Sequence, residues 1–280
     1  VFNLRNRVPA LAWLQERLFG FDAQRPLPTW RTDWFRDHEA DSRAPQSQEQ
    51  HPTKSTGLRD VVLLADTFNR WFEPENLRAA LKVLRHGGYR VHLARAPDKQ
   101  RPLCCGRTFL AVGQTDRARA EAQRMVDVLL PHARLGRPII GLEPSCLFTL
   151  RDEFTALLPG GHTDSVASCA VLLEEFIARE AESGRLHLPL QAIDQRQAMV
   201  HGHCHQKAFA VMGDVERTLR LIPDLEVKTI ESSCCGMAGA FGYQARHAEV
   251  SQTMAEENLW PAVRGASNET LVVADGTSCR

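Results

Sequence analysis

The chain has 280 residues, 43% hydrophobic and 24% charged, with equal numbers of basic and acidic side chains and a pI near 7.3. This composition is ordinary for a globular protein, and at roughly 150 residues per domain the length suits two domains or two lobes. Zero net charge gives no pull toward nucleic acid or an anionic bilayer, no apolar run approaches the ~20 residues of a membrane span, and the start at Val1 to Arg7 lacks a secretory apolar core.

Residues 1–56 differ from the rest. The stretch 11–21 reads as a short amphipathic helix, Arg25-Pro26-Leu27-Pro28 breaks it, and 37–56 is polar, so 1–56 reads as a linker or extended arm. Its Trp13, Trp30 and Trp34 either dock on a neighbouring surface or pack on the adjacent lobe. From residue 57 the pattern becomes regular. A buried strand is expected over 60–66, a helix over 74–86 with Pro74 in its first turn and Gly87-Gly88 behind it, and a strand over 89–93. Cys104-Cys105-Gly106 follows, then a helix through 130 and a strand over 138–142 that ends at Glu143-Pro144-Ser145-Cys146. A helix over 166–183 connects to the second half, and Cys169 inside it reads as core.

The second half repeats the order. A strand over 198–201 runs into Gly202-His203-Cys204-His205, a helix covers 206–221, and a strand over 225–230 leads to Cys234-Cys235-Gly236. A long helix over 241–263 and a strand over 270–274 end at Gly276-Thr277-Ser278-Cys279. The expected fold is therefore pseudo-duplicated α/β: two similar lobes, 57–165 and 166–280, each with a small parallel sheet flanked by helices. In such sheets sites form at the carboxyl ends of strands, where these cysteines fall.

Seven of the eight cysteines belong to this repeat, and a cysteine pair beside a turn-forming glycine suits soft-metal ligation better than disulfides. In the second set, Cys204, Cys234, Cys235 and Cys279 can enclose a 4Fe-4S cluster or a tetrahedral zinc. Gly236 and Gly239 let the backbone approach such a group, and a helix after the pair aims its free N–H groups at it. His201, His203, His205 and Lys207 crowd this set, either offsetting thiolate charge or, for the histidines, capping a helix. The first set keeps Cys104, Cys105 and Cys146, with Asp66 aligned to Cys204. Three thiols and a carboxylate suit zinc or mononuclear iron, or the lobe is vestigial. Glu143 beside this set is a ligand, a helix cap or a salt-bridge partner. Dinucleotide, phosphate-loop and nucleophile-elbow motifs are absent, as is the ferredoxin run of cysteines.

Together, His203-Cys204-His205, Cys234-Cys235-Gly236-Met237-Ala238-Gly239, Ala274-Asp275-Gly276-Thr277-Ser278-Cys279-Arg280, Asp66-Thr67-Phe68-Asn69 and Leu103-Cys104-Cys105-Gly106-Arg107-Thr108 resemble a known region. It is the C-terminal cysteine-rich region of large bacterial FAD-linked oxidases of the D-lactate or D-2-hydroxyglutarate dehydrogenase type. More distantly the motifs resemble the glycolate oxidase iron-sulfur subunit and heterodisulfide reductase. The resemblance covers about residues 57–280. It implies an iron-sulfur electron relay, with Arg107 among the residues around the first set, FAD in a part of the parent protein outside this chain, and the flavin domain of the same polypeptide as partner. The electron acceptor stays open. The family's closing Cys-x-x-Cys is Glu143-x-x-Cys146 in one half and Gly276-x-x-Cys279 in the other, so four thiolates, not five, are implied for the second set. The start at Val1 and the end at Arg280 suggest a piece of a longer chain. Paired cysteines without a signal suggest a cytoplasmic location, or a peripheral one at the inner membrane. A zinc-stabilised docking module, or a thiol reductase using Cys234 and Cys235, are the competing readings.

Overall fold

The structure of the chain, a computed structural model, describes residues 2–41, 59–97 and 101–280. It divides into two compact units, one of residues 33–189 and one of residues 2–32 with 190–280. Two short helices, α1 (Phe2–Arg5) and α2 (Pro9–Phe19), open the chain. Pro9 sits in the first turn of α2, and Gly20 ends it at φ 74°.

The first unit runs β1 (Arg59–Leu63), α3 (Thr67–Trp71), α4 (Pro74–His86), β2 (Tyr89–Leu93), α5 (Arg107–Ala111), α6 (Thr115–Ala133), β3 (Ile139–Gly141), α7 (Pro144–Arg151), α8 (Glu153–Leu157), α9 (Gly161–Cys169), β4 (Ala170–Leu172) and α10 (Leu173–Glu182). Its four strands are parallel in the order β2-β1-β3-β4. Val61, Val62, Leu63, Ile139 and Ile140 are all buried, as consecutive strand residues must be when both sheet faces are covered. Helix α4 buries Leu77, Ala80, Leu81 and Leu84, the spacing of one helix face.

The second unit carries β5 (Gln197–His201), α11 (Cys204–Ala208), α12 (Met212–Leu219), β6 (Glu226–Thr229), α13 (Ala248–Glu257), α14 (Leu259–Gly265) and β7 (Thr270–Ala274). The strands are again parallel, in the order β6-β5-β7, over a core of Ala198, Val200, Val215, Leu225 and Val227. The first strand of each lobe is therefore central, with the second and third on its two sides. The expected pair of similar α/β lobes is the fold observed.

Three long helices expected from the sequence are shorter pieces. The helix after Cys104-Cys105-Gly106 breaks between α5 and α6, where Gly113 has φ 73°. The one expected over 206–221 breaks at Ala210, a non-glycine residue at φ 55°. The one expected over 241–263 begins as 3-10 turns at Phe241–Tyr243 and Ala245–His247 and breaks again at Asn258, because Pro261 cannot continue the hydrogen-bond ladder. The helix expected over 166–183 is interrupted by β4, and β4 and α10 both fall in the unit of residues 33–189. Cys169 is half-buried at the end of α9 and its thiol points to the Ala133 carbonyl, 3.7 Å away.

The stretch expected to be an arm is ordered where it is described; residues 42–56 lie outside the described residues. Residues 2–32 fold onto the second lobe. Asp22 N–H donates to the Tyr243 carbonyl at 2.8 Å, and Arg25 donates to the Gly242 carbonyl at 2.6 Å and the Ser251 hydroxyl at 2.8 Å. Trp34 packs on Trp71 with ring centroids 4.5 Å apart, while Trp13 and Trp30 are exposed.

The glycine after each cysteine pair is held in a left-handed turn against a helix. Gly106 has φ 76°, and a Cβ there would meet the Ala118 carbonyl oxygen of α6 at 3.1 Å. Gly236 has φ 80°, and its Cβ would meet the Ser251 carbonyl oxygen of α13 at 2.0 Å. We expect Gly106→Ala to cost the left-handed strain of about 1–2 kcal/mol. Gly236→Ala adds a backbone clash and should cost more than about 2 kcal/mol. Urea unfolding of both variants measures this, and equal costs would contradict the packing described.

Candidate metal centre

The carboxyl end of each sheet gathers the cysteines. In the second lobe, β5 ends at His201, Gly202 follows, and His203 caps α11. Nδ1 of His203 accepts the His205 N–H at 3.1 Å, and Gln206 accepts the His203 N–H at 2.9 Å. Gln206 in turn donates to the Asp275 carboxylate beyond β7. This cap presents Cys204 as the first residue of the helix. Lys207 donates to the carbonyls of Ser232 and Ser233, the latter at 3.3 Å, and so ties down the segment that leads into Cys234.

The sulfurs come together in pairs. Cys204 and Cys234 are 3.8 Å apart, and Cys235 and Cys279 are 3.4 Å apart. Gly236 N–H donates to Cys234 at 3.3 Å. His201 joins the second pair: an imidazole nitrogen and the sulfurs of Cys235 and Cys279 all lie within 4.8 Å of one another. His201 is 2% exposed, with Nδ1 held 2.8 Å from Ser232 Oγ and Nε2 buried without a hydrogen-bond partner. A buried orphan nitrogen beside two thiols fits a thiophilic metal or cluster.

In the first lobe Cys105 and Cys146 are likewise 3.4 Å apart, and Gly106 N–H donates to Cys104 at 3.4 Å. Asp66 and His203 each cap the helix that follows the first strand of their lobe, and with these caps matched the strand registers carry the comparison further. Leu63 pairs with Leu93 and Ile140 as Val200 pairs with Thr229 and Val273. From these anchors Cys146 matches Cys279. On that match Thr67 stands opposite Cys204, one residue from the expected pairing of Asp66 with Cys204. Both Asp66 and His203 are helix caps. Asp66 accepts the N–H groups of Phe68 at 2.9 Å and Asn69 at 3.0 Å, and the Asn69 side chain at 2.7 Å. Glu143 caps α7 and accepts the Ser145 hydroxyl at 2.8 Å, while Arg107 pairs with Glu153. Leu64 stands where His201 stands. Among the described residues, the first set yields no group of three donors within 4.8 Å.

The electrostatics of the two sets diverge. In the first, the Cys105 thiol raises the pKa of Cys104, and burial adds to that. Cys104 pulls Cys105 down, but Cys146 and burial outweigh it and Cys105 stays well above the usual thiol value. Cys105 lowers Cys146, yet burial and the carboxylates of Asp66 and Glu143 push it up to about 11. In the second, the Cys279 thiol lowers Cys235 most, against desolvation, and His201 and the Met237 N–H bring it to about 4. Burial and the neighbouring Cys234 raise Cys204 to about 11. The two sets thus differ most at the second cysteine of the pair, raised at Cys105 and lowered at Cys235.

The N–H groups that serve the second pair come from the turn at Gly236 and Met237, because no helix opens there. The space at Gly236 is taken by α13, and Gly239 has no atom within 4 Å of its would-be Cβ but a left-handed φ of 67°. Gly276 has a different purpose. A Cβ there would strike the His203 ring at 2.2 Å, so the missing side chain makes room for that histidine. Ser232, which orients His201, was not foreseeable from motif spacing.

The profile of the CCG cysteine-rich domain matches residues 67–151 and 198–280, one copy per lobe. The chain is 26% identical over its whole length to one of the subunits of anaerobic glycerol-3-phosphate dehydrogenase from Escherichia coli, of which it spans 66%. It is 27% identical over 79% of its length to D-2-hydroxyglutarate dehydrogenase of Pseudomonas putida, and 24% to that of Escherichia coli, spanning 20% of each. Among the described residues no helix is long and apolar enough to cross a membrane. With both lobes matched, the chain belongs to the CCG cysteine-rich domain family.

Proposed function

We propose that this chain is the iron-sulfur electron-transfer module of a flavin-linked dehydrogenase, with its cluster in the second lobe. The observation that carries the reading is the convergence of Cys235, Cys279 and His201 beside the Cys204–Cys234 pair, an arrangement in which Cys279 and His201 pull the Cys235 pKa down. Cys204, Cys234, Cys235 and Cys279 would hold the group, and when bound it would accept and pass on single electrons. The chain's own residues shape the site. Gly236 and Met237 aim N–H groups at the cysteine pair, Lys207 fixes the approach to Cys234, and the His203 cap sets Cys204. The hydride-transferring flavin would lie outside these residues. Whole-length similarity to a protein named as a subunit supports a flavin-bearing partner on a separate polypeptide, while the D-2-hydroxyglutarate dehydrogenases support a fused one.

One observation favours a zinc-stabilised docking module instead. Zn–S bonds of about 2.3 Å in a tetrahedron put sulfurs about 3.8 Å apart, close to the 3.8 and 3.4 Å pairs of the second lobe. Metal analysis and an EPR spectrum of anaerobically purified, reduced protein separate the readings. The electron-relay reading expects iron, acid-labile sulfide and a reducible signal. Stoichiometric zinc and no signal would replace it with the docking module, and metal-free protein would leave the reactive thiols as reductase candidates.

Two further outcomes are expected. Cys234→Ser or Cys235→Ser should abolish metal or cluster binding, because a hydroxyl stays protonated where a thiol ionises, whereas Cys104→Ser should cost much less. Metal content per chain measures this, and equal losses would contradict the ranking of the two sets. In the metal-free protein, Cys235, with its pKa lowered to about 4, is ionised throughout the neutral range. Its alkylation rate should stay flat from about pH 6 to about pH 8, while Cys204, raised to about 11, should react roughly tenfold faster per pH unit. Peptide-resolved iodoacetamide labelling reads both profiles, and a steep rise at Cys235 would contradict the assignment.

A further inference from the structure

His201 is the last residue of β5, and its register opposite Ala274 fixes where the ring leaves the sheet. The ring is 2% exposed, and the Ser232 hydroxyl 2.8 Å from Nδ1 belongs to a residue that is itself 8% exposed. Ser232 can accept the Nδ1 proton, which leaves a lone pair on Nε2. That atom is buried, without a partner, and the ring belongs to a cluster with Cys235 and Cys279 that spans no more than 4.8 Å. In the metal-free chain the group in front of it is the Cys235 thiol, whose pKa it lowers. A polar atom so placed needs a proton from a thiol or a metal in front of it, and a histidine whose second nitrogen is pinned by a hydroxyl is oriented as metal-ligating histidines are.

We propose that His201 is itself a ligand: its Nε2 binds, together with the thiolates of Cys235 and Cys279, the metal of the second lobe. The inference rests on the reading that this lobe holds a metal, but it puts a neutral nitrogen in the place of one of the four thiolates, because a tetrahedral zinc or a four-iron cluster has room for four protein ligands. A nitrogen ligand makes the site less negative and would raise the reduction potential of a cluster there. The duplication supplies an internal contrast. The first lobe has Leu64 at this position, 2% exposed and surrounded by the same fold, and its thiols gather no nitrogen.

X-ray absorption at the metal K-edge, on the full chain reconstituted anaerobically with iron and sulfide or with zinc alone, tests the assignment. Wild-type protein should show a nitrogen scatterer with imidazole outer-shell features. His201→Leu should lose that shell and bind metal more weakly. Ser232→Ala should keep the nitrogen but lower metal affinity about 10–100-fold, because it removes only the ring's anchor. An all-sulfur shell in the wild type would overturn the ligand role while leaving the metal module standing, and that spectrum decides even if a variant fails to fold. Uptake of neither metal would overturn both.

Discussion

A left-handed glycine pressed against a helix backbone is the constraint on which both cysteine sets depend. At Gly106 and Gly236 the chain turns through a conformation open mainly to glycine, close enough to Ala118 and Ser251 that no side chain fits at Gly236 without displacing α13. The turn brings the glycine N–H back onto the first sulfur of the pair and points the second sulfur at the lone cysteine beyond the third strand. In the second lobe Arg25, from the chain's opening segment, clamps the same region through Gly242 and Ser251. The loop that carries the second cysteine pair is thus held from behind by Arg25 and α13.

The lobes share this turn but differ in the residues around it. His201, His203, Cys204 and Gly276 in the second lobe correspond to Leu64, Asp66, Thr67 and Glu143 in the first. Each substitution acts in the same direction. The first lobe loses a thiol and two imidazoles and gains two carboxylates, which together with burial raise Cys146, while Cys146 and burial raise Cys105. In the second lobe Cys204 is likewise raised, but Cys279 and His201 pull Cys235 down to about 4. One fold used twice has been given two electrostatic environments, and only one of them matches what a thiolate-ligated metal needs.

Much of the architecture was legible in the sequence, because strands buried on both faces read as unbroken apolar runs and Pro74 and Gly87 mark helix ends directly. The spans of α4, β2 and β7 are those expected from the sequence. What escaped had local causes. Pro261 and the left-handed Ala210 break helices whose apolar periodicity continues through them. The short strand β4 hides in an apolar stretch that carries no period distinguishing it from a helix. The one-residue shift at Asp66 arose because its capping role, shared with His203, depends on backbone register rather than on residue type. Ser232 carried no signal at all, since its importance comes only from the ring it faces.

The paired thiols, the orphan nitrogen of His201 and the protonated first set all point to one competent site. Anomalous diffraction at the absorption edge of the bound metal, from crystals grown anaerobically, locates it directly. The account predicts a peak in the second lobe within about 2.0–2.4 Å of the ligating atoms, among them the sulfurs of Cys235 and Cys279, and no comparable peak near Cys104, Cys105 and Cys146. A peak of equal height at the first set, or one only there, would contradict it.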